Sequence, residues 1–456
     1  MRTPKITKPI KLTLLLAFVF TMFSCSEDDS QPYITTPPSK GRVLVVGAGA
    51  SGLQAAKMLK DNGYDVDIME ASAEIGGRLR KNTTLADFDL DLGAEWGTGT
   101  NSYLYEMTQI YGQDIVIDNT EEQYWFIDEV YDVEDLDCPE HIKALVEYVY
   151  ETAHTQPNQT IDEWAEGEGM GSEYDDLIEA IANLEGASAE NLSAPEELLE
   201  ELKSNVNRDK FRLRNKTYCD FVHDHLADAL KDEIYLSCPV SKIDYSGELI
   251  KVTVGEKIYE VDKVIVTVSV KVLQEGYIEF VPALPAEKLE AINNIGMEEG
   301  MKVFLKFTDN FFQDAMIVGG SEGSMYYDAT HGKDSEDAIL GVQVTGRNAR
   351  ELSALPEAQA VQAILSEMDE ISEGLASQKF TGEYKMVDWG KEEFIKGAFS
   401  YEKVNTGDAR DVLAAPVAKK IYFAGEATST NGNKGTVNGA LETGKREALR
   451  VMEDFE

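Results

Sequence analysis

The chain has 456 residues, with 42 Lys and Arg against 83 Asp and Glu and a formal net charge of -41. Such a length calls for two or three lobes rather than one simple core. The carboxylate excess excludes nucleic acid as a partner, because a phosphate backbone needs clustered Lys and Arg, and otherwise reads as a solubilising surface.

The N-terminal stretch stands apart from the body. Lys5, Lys8 and Lys11 precede an apolar run over 12–23. That run is too short to cross a bilayer of about 30 Å, and its charged-then-apolar layout is that of an export signal. Ser24, Cys25 and an acidic stretch over 26–30 follow. The pattern resembles a bacterial lipoprotein signal. That resemblance implies a signal peptide over 1–24, lipidation of Cys25, and a linker over 25–41 that tethers the body to a cell-envelope membrane through a lipid anchor, on its periplasmic or surface face. Cys138, Cys219 and Cys238 remain, with no Cys-x-x-Cys spacing and room for one disulfide of open pairing. His223-x-His225 is the close histidine pair, and two residues apart on a helix the rings diverge, so no metal site is expected.

The most informative stretch begins at Arg42. An apolar strand over 42–46 runs into Gly47-x-Gly49-x-x-Gly52, a helix over 53–62 follows, and a second strand over 64–70 closes on Glu70. Gly47 permits the tight turn, Gly49 the approach of a pyrophosphate, and Gly52 close packing of the helix whose first amides, at Ala50 and Ser51, face the negative charge. Glu70, followed by Ala71, offers a carboxylate to both hydroxyls of a ribose. Strand, glycines, helix, strand and acid in this order predict a bound dinucleotide.

Two glycine-bearing loops come next, one carrying Gly76, Gly77 and Arg78 and the other Gly93, Ala94, Glu95 and Trp96. They leave amides and a guanidinium for phosphate. Residues 101–207 are rich in Leu, Ala, Glu and Tyr at helical spacing, which predicts a helical insertion. Its acidic patch over 121–137, with Tyr124, Trp125, Phe126 and Tyr131, reads equally as a solvated hairpin or a substrate funnel. A helix is expected over 217–230, then short strands over 234–269. A mixed segment over 282–379 contains a helix at 285–295, a strand at 302–307 and a helix at 357–371.

Near the C-terminus the strand pattern 420–424 meets Gly425 and Glu426, and Gly435, Thr436 and Val437 open another helix. This second strand, glycine turn and helix start would present amides to an electron-rich group far from the adenosine. A positive helix end there stabilises charge acquired by a reduced ring.

These motifs together resemble the flavin-containing amine oxidoreductases over most of residues 42–450. The matching pieces are the 46–53 turn, Glu70, Gly76-Gly-Arg78, Gly93-Ala-Glu-Trp96, Val240, Val266-Thr-Val268, Trp389, the segment 397–401, Ala424-Gly-Glu426 and Thr436-Val-Asn-Gly439. The resemblance implies an α/β fold with a Rossmann-like FAD-binding domain over 42–100, 208–275 and 380–456, interleaved with an α+β substrate-binding domain over 101–207 and 276–379. It implies that Glu70 holds the adenosine ribose, Arg78 the pyrophosphate, the Val240 backbone the adenine, Glu426 the ribityl or phosphate side and Val437 the flavin pyrimidine edge. A lysine on the 302–307 strand holds a water near flavin N5 in that family, which points to Lys302 as catalytic. On pattern alone Lys302 and Lys306 would also suit a solvated strand face. Phe399 stands where some members carry a cysteine bonded to flavin, which implies non-covalent FAD. Ser400 and Thr436 stand where amine-selective members often place two aromatics, leaving Phe399, Tyr401 and Trp389 to form a wall. The function so implied is oxidation of a small-molecule amine or amino acid, with dioxygen or another electron acceptor. The alternatives are a desaturase or isomerase of an apolar C–C bond, and an FAD-binding lipoprotein without turnover.

Overall fold

The computed structural model describes residues 39–127, 129–135, 137–151 and 156–456. The expected signal, Cys25 and most of the linker lie outside them. Residues 39–456 form one compact unit.

Its first layer is a parallel five-stranded sheet. Strand β1 (Arg42–Val46) pairs on one side with β2 (Asp65–Met69), which pairs with Ile234–Tyr235, and on the other with Lys263–Val266, which pairs with Ile421–Phe423. β1 reads as a continuous apolar run because both of its faces are covered, with Val43, Leu44 and Val45 fully buried. Helix α1 (Ala50–Asp61) connects β1 to β2 and packs against the C-terminal helix Val437–Glu453. A Cβ on Gly444 would lie 2.3 Å from the Ser51 carbonyl oxygen, so a glycine there is what allows the two helices to touch. The strand beside Ile421–Phe423 in the sheet thus brings the chain's two glycine turns, nearly 400 residues apart, to one edge.

A four-stranded sheet, in the order Lys257–Val261, Ile250–Val254, Val240–Asp244, Glu279–Val281, flanks this layer. The second large layer is a seven-stranded sheet in the order Phe380–Asp388, Gly300–Phe307, Ala338–Thr345, Met325–Asp328, Met316–Val318, Gln123–Phe126, Glu129–Tyr131. Glu279–Val281 hydrogen-bonds to Val240–Asp244, and Phe380–Asp388 to Gly300–Phe307, so the boundaries expected after residues 275 and 379 separate strands that are paired.

Residues 101–207 are not all helical. Three strands at Ile115–Asp118, Gln123–Phe126 and Glu129–Tyr131 fall between the helix Tyr103–Ile110 and the helices Glu140–Tyr150, Ile161–Gly167, Asp175–Leu184 and Ala194–Glu201. These strands are short and hold their places by pairing with distant partners, Ile115–Asp118 with Lys210–Leu213 for example, which a local pattern does not reveal. The acidic patch forms the Gln123–Tyr131 hairpin at the sheet edge. The helix expected over 217–230 changes pitch twice: α-helical at Tyr218–Val222, π at His223–Ala227 and 3-10 at Asp228–Leu230. Cys138, Cys219 and Cys238 are all free thiols, which replaces the expected room for a disulfide.

Candidate active site

The turn after β1 follows from its glycines. Gly47 adopts φ of +107°, a conformation that L side chains rarely take. A Cβ at position 52 would sit 2.0 Å from the Gly47 carbonyl oxygen, so the third glycine is fixed by helix-on-turn packing. Gly49 caps α1 with no side-chain hydrogen bond, leaving the first-turn amides open. Ser51, only 4% exposed, carries a hydroxyl with no protein partner. At the end of β2 the Glu70 carboxylate accepts the Ala48 amide at 2.7 Å through one oxygen, and the Ser72 amide and hydroxyl, each at 2.8 Å, through the other. These contacts place the acid beside the turn, on the cavity wall.

One cavity of about 950 Å³ runs from this turn to the second one. Gly47, Gly49, Ala50, Ser51, Glu70, Ala71, Gly77, Arg78, Gly93, Ala94, Glu95, Trp96, Val240, Lys302, Trp389, Phe399, Gly425, Glu426, Thr436 and Val437 all line it. Gly52 instead serves the helix contact. Tyr401 is not on the wall, contrary to its expected substrate role. Its ring covers Gly296 and its buried hydroxyl donates to Glu298 at 2.8 Å. Phe399 lies just before the strand Ser400–Glu402, whose pairing with Ile295–Met297 sets Tyr401 opposite Gly296 and so buries its ring in the core.

At the middle of the cavity Arg78 donates to the Ala398 carbonyl at 2.7 Å and to Glu426 at 3.0 Å. Glu426 also accepts the Ser400 hydroxyl at 2.6 Å and the Gly435 amide at 2.9 Å. Burial alone would raise its pKa, but Arg78 and Arg410 outweigh that and hold the carboxyl below the usual range. Thr436 caps the last helix by accepting the Gly439 amide at 2.9 Å, which aims the helix start at the cavity. Trp389 donates its indole N–H to the Leu92 carbonyl at 3.1 Å and forms a fixed wall.

Lys302 is buried, 5% exposed, with its ammonium 2.9 Å from Glu95. Lys306, by contrast, reaches Asp337 at 2.9 Å near the surface. The solvated-face reading therefore fails for Lys302, and a carboxylate solvates its charge.

Sequence reasoning missed the groups behind and beyond Lys302. Arg212, Tyr327 and Asp118 surround Glu95 from three other strands, and nothing local marks them. At the far end, Glu185, Glu201 and Lys434 also line the cavity. Glu185, Glu197 and Glu201 bring carboxylate oxygens within 4.8 Å of one another. The Lys434 ammonium pairs with Glu197 and lies 3.7 Å from Glu185, so the chain supplies its own cation there. Burial and then Glu185 push the Glu201 carboxyl up to about 7. An unusual cue did exist: a lysine inside the polar, glycine-rich run 431–435.

The residues fit a dinucleotide carrying a flavin. Open helix amides, an unpartnered buried Ser51 hydroxyl, the Glu70 carboxylate and a second helix start share one cavity of adequate volume.

Comparison with known proteins agrees. Residues 50–452 match the family model for flavin containing amine oxidoreductases. Lysine-specific histone demethylase 1B of Mus musculus is 27% identical over 449 residues, covering 90% of this chain and 52% of its own. The chain thus spans about half the length of the demethylase relatives it matches. Polyamine oxidase 1 of Zea mays is 27% identical over 449 residues, covering 88% of each chain. Among solved structures, putrescine oxidase bound to putrescine superposes with a TM-score of 0.77 at 20% identity, covering 91% of this chain and 99% of that one. Cyclohexylamine oxidase from Brevibacterium oxydans IH-35A gives 0.76 at 22% identity, with the same coverage. The fold is thus that of the amine oxidases, and with its two glycine turns on one flavin-sized cavity this chain belongs to the flavin containing amine oxidoreductases.

Proposed function

We propose that the chain is an FAD-dependent oxidase that converts a neutral amine or amino acid to its imine and passes the electrons to dioxygen, giving hydrogen peroxide. The observation that carries this reading is the continuity of one cavity from the dinucleotide turn to the second turn and Lys302. FAD, when bound, would supply the redox chemistry as a hydride acceptor. The protein supplies position and a dry wall. The α1 amides and Ser51 hold the pyrophosphate, Glu70 the ribose, Val240 the adenine edge, and the Thr436 and Val437 amides the pyrimidine edge. Arg78 and Glu426, already paired, fix the middle of the cofactor. Trp96, Trp389 and Phe399 exclude bulk water, and Lys302 offers a hydrogen-bond donor on the flavin side of the cavity.

Glu185, Glu201 and Lys434 on the far wall favour a polar substrate over an apolar C–C one, because an apolar ligand would take water from these polar groups and offer them no hydrogen bond in return. Phe399 at the attachment position supports non-covalent binding. So does the absence of Cys138, Cys219 and Cys238 from the cavity wall. The charged-then-apolar leader and Cys25 support export and lipid anchoring at the cell envelope.

An aerobic peroxide screen over amines and amino acids, paired with anaerobic bleaching of the flavin, tests the activity. Bleaching by at least one primary or secondary amine is expected, and a bound flavin that no amine bleaches would remove the amine claim alone. Acid precipitation should release the flavin into the supernatant, and fatty-acid labelling in cells should be lost on Cys25→Ser.

A further inference from the structure

Lys302 sits in Gly300–Phe307, between Ala338–Thr345 and Phe380–Asp388 in the seven-stranded sheet, where its register partners are Gln343 and Val387. An ammonium buried to this degree is largely removed from bulk water and needs a counter-ion. Glu95, 207 positions earlier in the chain, provides one at 2.9 Å. The same carboxylate oxygen accepts the Tyr327 hydroxyl at 2.6 Å, and the other faces Arg212 at 3.3 Å. Arg212 in turn forms an ion pair with Asp118 at 2.7 Å, and the Trp96 indole N–H donates to that same Asp118 oxygen at 2.8 Å. Two cations and two carboxylates thus cancel within one buried group. The cavity-lining Trp96 ring is gripped by both cations, with Lys302 Nζ 5.1 Å and the Arg212 guanidinium 5.0 Å from its centre.

The remaining groups facing this quartet do not replace Glu95. Asp91 lies behind it, its carboxyl pushed up to about 8 by burial and by Glu95 itself, so it is neutral at pH 7. Lys333 adds positive charge, and its ammonium donates to the Leu213 carbonyl at 2.6 Å. His331 approaches Asp118 at 3.9 Å and donates through Nδ1 to the Asp314 carboxylate at 2.6 Å. Glu95 is therefore the carboxylate that Lys302 meets directly.

We propose that Glu95 is the positioning residue of Lys302: its carboxylate holds the ammonium at the cavity wall against Trp96 and cancels its charge, so that Lys302 serves as a fixed hydrogen-bond donor toward the flavin rather than as a free charge or a base. This rests on the flavoenzyme reading above. Either partner alone leaves an excess charge beside the cofactor. An excess positive charge stabilises the electron-rich reduced ring and raises its potential, and an excess negative charge lowers it.

The test is a double-mutant cycle on the full FAD-loaded chain, reading the flavin midpoint potential and the rate of flavin reduction by an amine. Glu95→Gln should raise the potential, Lys302→Met should lower it, and the double variant should return to the wild-type value. Each single change should slow reduction at least about tenfold, and the double variant should be no slower than Lys302→Met alone. Melting of the flavin-free chain gives an independent readout, with each single variant less stable than the double one. Additive rate losses with unmoved potentials overturn the proposal, because a purely structural Glu95 would behave that way. If Glu95→Gln alone does not fold, the double variant decides: recovery of FAD uptake with the wild-type potential supports the pairing, and loss of uptake in both overturns it. A wild-type chain that takes up no FAD would instead defeat the flavoenzyme reading, which separates the two failures.

Discussion

Ser51 and Asp91 show how single side chains here are shaped by something other than local structure. The Ser51 hydroxyl is buried without a protein partner, an arrangement that costs stability unless a ligand satisfies it. Ser51→Ala should therefore leave the melting temperature of the flavin-free chain unchanged or slightly raised while weakening FAD about tenfold, as titration by flavin fluorescence would show. Asp91 accepts the Tyr218 amide at 3.0 Å, and its carboxyl is raised from 3.8 to about 8 by burial and by neighbouring Glu95. The folded state therefore holds a proton that the unfolded chain releases. The stability tied to this group is complete below pH 3.8 and is lost as the pH rises toward about 8. Melting temperature should fall over that window, and Asp91→Asn, which keeps the acceptor, should flatten the slope. Glu95 and Glu426, whose pKa values are lowered, act in the opposite sense: their contribution is present above the ordinary carboxylate range and is lost on acidification.

At the level of elements, the decisive contact is that of α1 with the C-terminal helix. Gly444 is the point of closest approach, against the Ser51 carbonyl. Gly444→Val should push the helices apart, destabilise the chain by about 1–3 kcal/mol by overpacking, and reduce FAD occupancy more than a surface substitution on the same helix. Denaturant unfolding and flavin content would check both. The elements of this layer were legible because β1, its glycines, α1 and β2 each carry their own pattern, and so was the helix Glu357–Ile371 with its apolar face. The strand Ile115–Asp118 was not, since four residues give too short an alternation and its pairing partner Lys210–Leu213 lies far along the chain. Tyr401 was misplaced for a related reason. Whether a residue at the start of a strand faces a cavity or the core depends on where the partner strand takes hold of the chain, and here that partner is Ile295–Met297, about a hundred residues earlier.

Across the whole molecule, a net charge of -41 makes self-repulsion a term that salt screens. Added sodium chloride up to a few tenths molar should raise the melting temperature, and a chain whose melting point falls with salt would contradict this. The sequence by itself determined the first glycine turn, the second glycine turn, the acid Glu70 at the end of β2 and the placing of Lys302 on a strand, because each depends on residues close together whose backbone geometry or periodicity is local. Only the tertiary structure decided that Lys302 is buried against Glu95, that Arg212, Tyr327 and Asp118 stand behind that pair, and that Glu185, Glu201 and Lys434 close the far end of the cavity. Those contacts join elements tens to hundreds of residues apart, and a buried charge finds its partner only where the packed sheets and helices bring the two together.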